Sequence, residues 1–126
     1  MSKVKGLLNS IEEVLRTFEY PVYYGRSFAK EDDDWNYFVF NRSIIKKAGK
    51  SNCDYCYYYK VHIIMEDYVE EGFEQEVIKA IEENTRLKLS DDEMQFNYVT
   101  KSGTDTVVEM LTLTFCKTFR GCGLNG

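Results

Sequence analysis

From Tyr55 to Glu66 the side chains alternate without a break between two sets, and this alternation constrains the fold more than any other feature. Tyr55, Tyr57, Tyr59, Val61, Ile63 and Met65 form one set; Cys56, Tyr58, Lys60, His62, Ile64 and Glu66 form the other. Successive side chains of an extended chain point to opposite faces, so this period of two predicts one long strand with one face clearly more apolar than the other. Such a strand needs neighbours, and the sequence supplies them. Trp35 to Ile45 opens with the aromatic and β-branched run Trp35-Asn36-Tyr37-Phe38-Val39-Phe40. Met94 to Thr100 and Thr106 to Lys117 read as a hairpin around the turn Lys101-Ser102-Gly103-Thr104-Asp105. In the return strand Leu111, Leu113 and Phe115 share one face, and Val108, Met110, Thr112, Thr114 and Cys116 share the other. Val22-Tyr23-Tyr24-Gly25 reads as a strand or a strand-like loop, and Lys46 to Asp54 as a loop.

Two segments change period. Val4, Leu7, Leu8, Ile11, Val14, Leu15 and Phe18 fall at helical spacing, and Pro21 ends that helix. Glu70 to Glu83 is the second helix, with Phe73, Val77, Ala80 and Ile81 as its buried stripe and Asp67 as its expected N-cap or near-cap residue. Ser90-Asp91-Asp92-Glu93 has the form of a capping box, but no helical stripe follows, so it reads as a turn. The prediction is an α+β fold: an antiparallel sheet of about four to five strands, two helices packed on one face, in the order α-β-β-α-β-β. Residues 1–126 form one domain, with 118–126 expected to be a flexible tail.

The net charge of −5 argues against a general nucleic-acid binder, which needs a basic face to displace phosphate counterions. Lys46, Lys47 and Lys50 are the nearest approach to a basic patch. No apolar run is long enough for a membrane-spanning helix, and the first ten residues lack the apolar core of a signal peptide, so an intracellular-type chain is expected. The four cysteines are then expected to be free thiols.

Each constellation that could carry chemistry has a plainer alternative. Cys53 and Cys56 form a C-x-x-C that Cys116 and Cys122 would complete as a four-thiolate zinc site. The second pair has the wrong spacing, and free thiols are the expectation; no metal and no cofactor are assigned. His62, the only histidine, would be the base of a Cys–His enzyme, but it lies inside a strand with no sequence-placed orienting residue. Glu31-Asp32-Asp33-Asp34 lacks calcium-loop spacing and reads as a solvated loop. Tyr55, Tyr57, Tyr58 and Tyr59, with Trp35, are the candidate subunit or partner interface, because such residues are enriched at interfaces. No catalytic residue is assigned, and no enzyme is expected.

Three stretches carry a family resemblance: Tyr58-Tyr59-Lys60-Val61-His62-Ile63-Ile64, Glu71 to Glu82, and the strand Val107 to Phe115. With these the chain resembles the small tail-terminator and tail-completion (head–tail joining) proteins of long-tailed phages and prophages of Gram-positive bacteria. The resemblance runs from the first helix to about Lys117 and carries no catalytic signature. It implies a structural virion protein at the head-proximal end of the tail, assembled in the host cytoplasm as a ring, expected to be hexameric. The ring caps the tail tube, ends its polymerisation and forms the surface that joins the head. Its partners would be further copies, tail-tube protein and head-completion or neck proteins. DNA would only pass through the lumen, which Glu31 to Asp34 are candidates to line. The Cys53/Cys56 pair and the tyrosine run have no counterpart in the family pattern. The alternatives are a head-closure or neck connector, a small cytosolic protein- or ligand-binding domain and, third, a thiol enzyme using Cys53 or Cys56.

Overall fold

The computed structural model describes residues 6–47, 54–90 and 93–120, with the side chain of Arg120 left out. The element order is α1 (Leu7–Arg16), β1 (Val22–Tyr24), β2 (Tyr37–Lys47), β3 (Asp54–Glu66), α2 (Phe73–Asn84), β4 (Lys88–Leu89), β5 (Gln95–Thr100) and β6 (Val107–Arg120). The strands form one sheet in the order β1-β2-β3-β6, with β4 and β5 both pairing the far side of β6. This α+β architecture agrees with the expectation in outline and corrects it in detail. The sheet has six strands and is mixed, because β1 runs parallel to β2 while every other pair is antiparallel. β4 is two residues long, too short to show a period. β1 pairs in parallel because Val22 to Tyr24 lie beside Phe38 to Phe40, with the Phe38 N–H donating to the Pro21 carbonyl. Of the expected tail, Thr118, Phe119 and Arg120 continue β6 opposite Cys56, Tyr55 and Asp54, and 121–126 lie outside the described residues.

Both helices cover one face of the sheet. Ile11, Val14 and Leu15 of α1 and Val77, Ile78 and Ile81 of α2 pack on Phe38, Phe40, Val61, Ile63, Met65, Leu111, Leu113 and Phe115. The odd-numbered face of β3 is therefore the buried one, and burial of this apolar surface is the main source of stability. α1 ends at Arg16, where the Thr17 hydroxyl donates to the Val14 carbonyl, some residues before Pro21. The N-cap of α2 is Gly72 and not Asp67. Gly72 has φ +92°, a left-handed conformation that glycine alone adopts without strain. Asp67 sits earlier, in the turn leaving β3, with φ +71° and its N–H donating to the Val107 carbonyl.

The opposite face is covered only in part. The segment between β1 and β2 folds over Tyr37, Val39, Ile64 and Val108, adding Ala29 and Trp35 to that cluster, with Tyr23 and Met110 also packed against it. The rest of this face has no helix over it.

Candidate functional site: an uncovered sheet face and a projecting arm

The uncovered face is built from the even-numbered residues of β3 and β6 and the odd-numbered residues of β5. Register places His62 opposite Thr112 and Val39, and Thr112 opposite Gln95. Lys60, His62, Glu93, Gln95, Asn97, Thr112 and Thr114 line a shallow concavity of about 450 Å³. His62 is half-buried at its floor. The Asn41 amide nitrogen donates to the Arg42 carbonyl at 2.9 Å, which turns the Asn41 oxygen toward His62 Nε2 at 3.0 Å. Nε2 therefore carries the proton, and Nδ1 accepts from the Thr112 hydroxyl at 2.9 Å. Burial first, and the nearby Lys60 charge second, push the His62 pKa below its ordinary 6.5. The ring is a neutral strut joining three strands.

This arrangement sets a pH dependence. A folded-state pKa below the unfolded value means that the unfolded chain takes up the proton first as pH falls. The contribution is complete above the ordinary value of 6.5 and is lost as pH falls through the lowered folded value. His62→Gln, which cannot titrate, is expected to lose this slope. Urea midpoints measured from pH 7.5 to 5 check it, and equal slopes in both proteins would refute it.

The structure separates the histidine from the thiols. Cys56 lies on the same face but six residues along the strand, about 20 Å away at the rise of an extended chain. Cys116 lies four residues from Thr112, about 13 Å along β6. Neither thiol forms a Cys–His pair, which needs hydrogen-bond reach. Cys56 Sγ is 3.3 Å from the Thr118 hydroxyl. Cys53 and Cys122 lie outside the described residues, so the four-thiolate set is not seen together. Among the described residues no group of three or more metal-ligating side chains is placed to hold an ion.

At the end where β2 closes and β3 opens, β2, β3 and β6 form a three-stranded arm, whose Lys117 and Phe119 adjoin Leu7 and Ser10 of α1 and Asn84 of α2. On its helix-side face Tyr57 meets Phe119 edge-on at 4.8 Å, and Lys117 Nζ lies 5.3 Å from the Phe119 ring. On the other face Lys46 Nζ lies 5.3 Å from the Tyr58 ring. An extra residue in β2 between Arg42 and Ile45 breaks the register with β3, and Ile44 and Ile45 are 48% and 60% exposed beside it. Tyr55, Tyr57 and Tyr58 are half-buried on the arm, whereas Tyr59 is buried in the main core. The sequence pointed to the tyrosines but not to Ile44, Ile45 and Phe119, because an exposed apolar residue in a strand carries no local signal of its exposure.

Trp35 and the acidic run occupy a third place. Trp35 is half-buried, its indole N–H donating to the Lys30 carbonyl at 2.9 Å and its backbone N–H to Glu66 Oε2 at 2.7 Å. Lys101 Nζ donates to the Asp33 carbonyl at 2.6 Å and to Glu66 Oε2 at 2.9 Å, and lies 5.7 Å from the Trp35 ring. Glu31, Asp32, Asp33 and Asp34 are all exposed, so the loop is a tethered patch of negative charge. Among the described residues no helix is long and apolar enough to cross a membrane.

No protein-family model matches this chain, and no curated relative does.

Proposed function

We propose that the chain is a structural subunit that closes the head-proximal end of a phage tail tube as a ring of copies, expected to be hexameric. The observation that carries this reading is the arm. It carries a hydrogen-bonded sheet to the margin of its core and leaves Ile44, Ile45 and Phe119 exposed, the last at 39%, among three tyrosines. Exposed apolar and aromatic residues gathered on a rigid element favour protein contact. A ring requires a heterologous contact, in which the arm of one copy meets a different surface of the next. The polar concavity around His62 suits tyrosine hydroxyls, because Gln95, Asn97 and Thr112 present amide and hydroxyl groups there. The tethered acidic loop would give such a ring a negative lining past which DNA moves without adhering. Tail-tube protein and head-completion or neck proteins are the partners of this reading. A head-closure or neck connector would use the same features.

Light scattering and electron microscopy of the chain with purified tail-tube protein test the reading. Closed rings on tube ends and arrested tube growth are the expected result. A chain that leaves tube length unchanged sinks it. Ile45→Asp and Phe119→Asp, both on the arm, are expected to leave the fold intact. Each should weaken capping by roughly thirtyfold, the loss of about 2 kcal/mol that defines an interface hot spot.

The concavity also favours one other reading, a binding domain for a small polar ligand. Titration calorimetry against polar metabolites, with Lys60→Ala as control, separates the two. Saturable heats abolished by Lys60→Ala would favour the binding domain.

A further inference from the structure

The two long edges of the sheet are treated differently. Beyond β1, the outer edge of β2 carries Arg42, Lys46 and Lys47 and is broken by the extra residue between Arg42 and Ile45. Charges and bulges are the devices that keep a strand edge from pairing with another chain. β5, Gln-Phe-Asn-Tyr-Val-Thr, has none of them: no charge, no proline, no glycine and no register break. All of its residues are exposed, with Phe96 at 47%, Tyr98 at 61% and Val99 at 47%. Its only strand partner among the described residues is β6.

The backbone of β5 is also set to accept a strand. Lys101 N–H donates to the Thr106 carbonyl and Ser90 N–H to the Thr114 carbonyl, so even-numbered residues of β6 turn their main chain toward β5 and β4. Val107 turns the other way and accepts from Asp67 beside β3. Register places the even-numbered Thr112, Met110 and Val108 opposite Gln95, Asn97 and Val99. Those three residues of β5 therefore face β6, and Phe96, Tyr98 and Thr100 present their N–H and C=O groups outward.

We propose that β5 pairs antiparallel with β5 of a second copy, about a twofold axis perpendicular to the sheet. Such an axis keeps the helices of both copies on one side. It requires that even-numbered residues oppose even-numbered ones, and these are the residues whose main-chain groups are free to bond. Centred on Asn97, the pairing sets Phe96 against the second copy's Tyr98 at two symmetric places, a favourable cross-strand aromatic pair. A second copy fits better than a charged strand because β5 is neutral within a chain of net charge −5. Two such chains meet there without like-charge repulsion at the seam. The contact is separate from the arm: β5 lies along Val107–Thr112, and the arm is formed by the opposite end of β6. It does not depend on the ring reading.

The test is the mass and amide exchange of the free full-length chain over a range of concentrations. Light scattering is expected to give twice 14.8 kDa at high concentration. The amides of Phe96, Tyr98 and Thr100 should gain protection from exchange with dimerisation, while those of Gln95, Asn97 and Val99 are protected throughout. Tyr98→Pro removes an outward N–H and leaves the main-chain bonds of the β5–β6 ladder, losing the Tyr98 hydroxyl's bond to Glu109 as Tyr98→Lys also does, and Phe96→Lys with Tyr98→Lys charges the seam. Both are expected to be monomers with unchanged circular dichroism and no concentration-dependent protection. A wild-type chain that stays monomeric at every concentration overturns the proposal. So does a dimer that survives both variants, or β5 protection that arises only when tail-tube protein or an uncharged strand peptide is added.

Discussion

Replacing Phe38 with alanine is expected to cost about 3–5 kcal/mol, the largest loss of any substitution considered for this chain. Phe38 is fully buried on β2, at the place where both helices meet the sheet. Its ring lies 5.9 Å from Phe18, which follows α1, and 6.1 Å from Phe73, which opens α2. Tyr20 closes the cluster at 6.1 Å from Phe38, and Phe18 meets Phe73 edge-on at 5.5 Å. Removing the central ring strips contact from three others at once, and they cannot all collapse into the space without moving a helix. A domain of this size has about 5–15 kcal/mol of total stability, so the variant should be close to unfolding. Urea denaturation checks it: the midpoint should fall sharply while the slope stays that of the parent. Phe28→Ala, at an exposed position, is the matched control. A Phe38→Ala loss no larger than the control's would show that the aromatic cluster is not a keystone.

Lys101→Met is expected to cost about 1.5–3 kcal/mol, the range for a hydrogen-bonded charge taken from a largely buried place. The lysine is 8% exposed and bridges the β5–β6 turn, the Glu66 carboxylate at the end of β3 and the Asp33 carbonyl in the acidic loop. Its removal leaves Glu66 to the Trp35 N–H alone and releases the loop tether. The Lys101 hydrogen bond first, and the Trp35 N–H second, hold the Glu66 carboxyl below its ordinary 4.5. A folded value below the unfolded one gives stability that is present above the ordinary carboxylate range and is lost as pH falls through the lowered folded value. Lys101→Met should therefore lower stability at neutral pH and flatten the acid limb of the stability profile. Arg16→Ala, which breaks the exposed Glu12–Arg16 pair on α1, should change almost nothing. Equal losses in the two variants would refute the clamp.

The functional consequence of that clamp is geometric. In the ring reading the acidic loop faces passing DNA, and a loop held at Asp33 and Trp35 keeps its four carboxylates in one place. Lys101→Met would then change the lumen as well as the stability.

The sequence was informative wherever a local period decided the matter. The alternation in Tyr55 to Glu66 located β3 to within a residue and sorted its side chains into two faces, of which the structure buries the odd-numbered one. Leu111, Leu113 and Phe115 were legible as one face of β6, and Val4 to Phe18 as the apolar stripe of the first helix; the structure puts that face of β6 and Ile11, Val14 and Leu15 of α1 in the core. For the candidate sites it located the tyrosine-rich strand and the acidic loop, but not what surrounds them. The Asp67 cap failed because residue preference alone cannot tell which of two nearby turns begins the helix, whereas the left-handed Gly72 does.

What the sequence by itself determined is which side chains share a face, because periods of two and 3.6 are properties of the backbone and need no partner. Only the tertiary structure decided what each face and edge meets. The parallel seating of β1, the two-residue β4 and the bulge after Arg42 depend on the neighbouring strand. The Lys101 clamp joins groups 35 and 68 residues apart. His62 became a neutral strut because Asn41 and Thr112, distant in the chain, arrive on its two ring nitrogens. The bare edge of β5 exists because β6 pairs one side of that strand and nothing among the described strands pairs the other. Such contacts close long loops, and no local pattern of residues records which distant groups will meet.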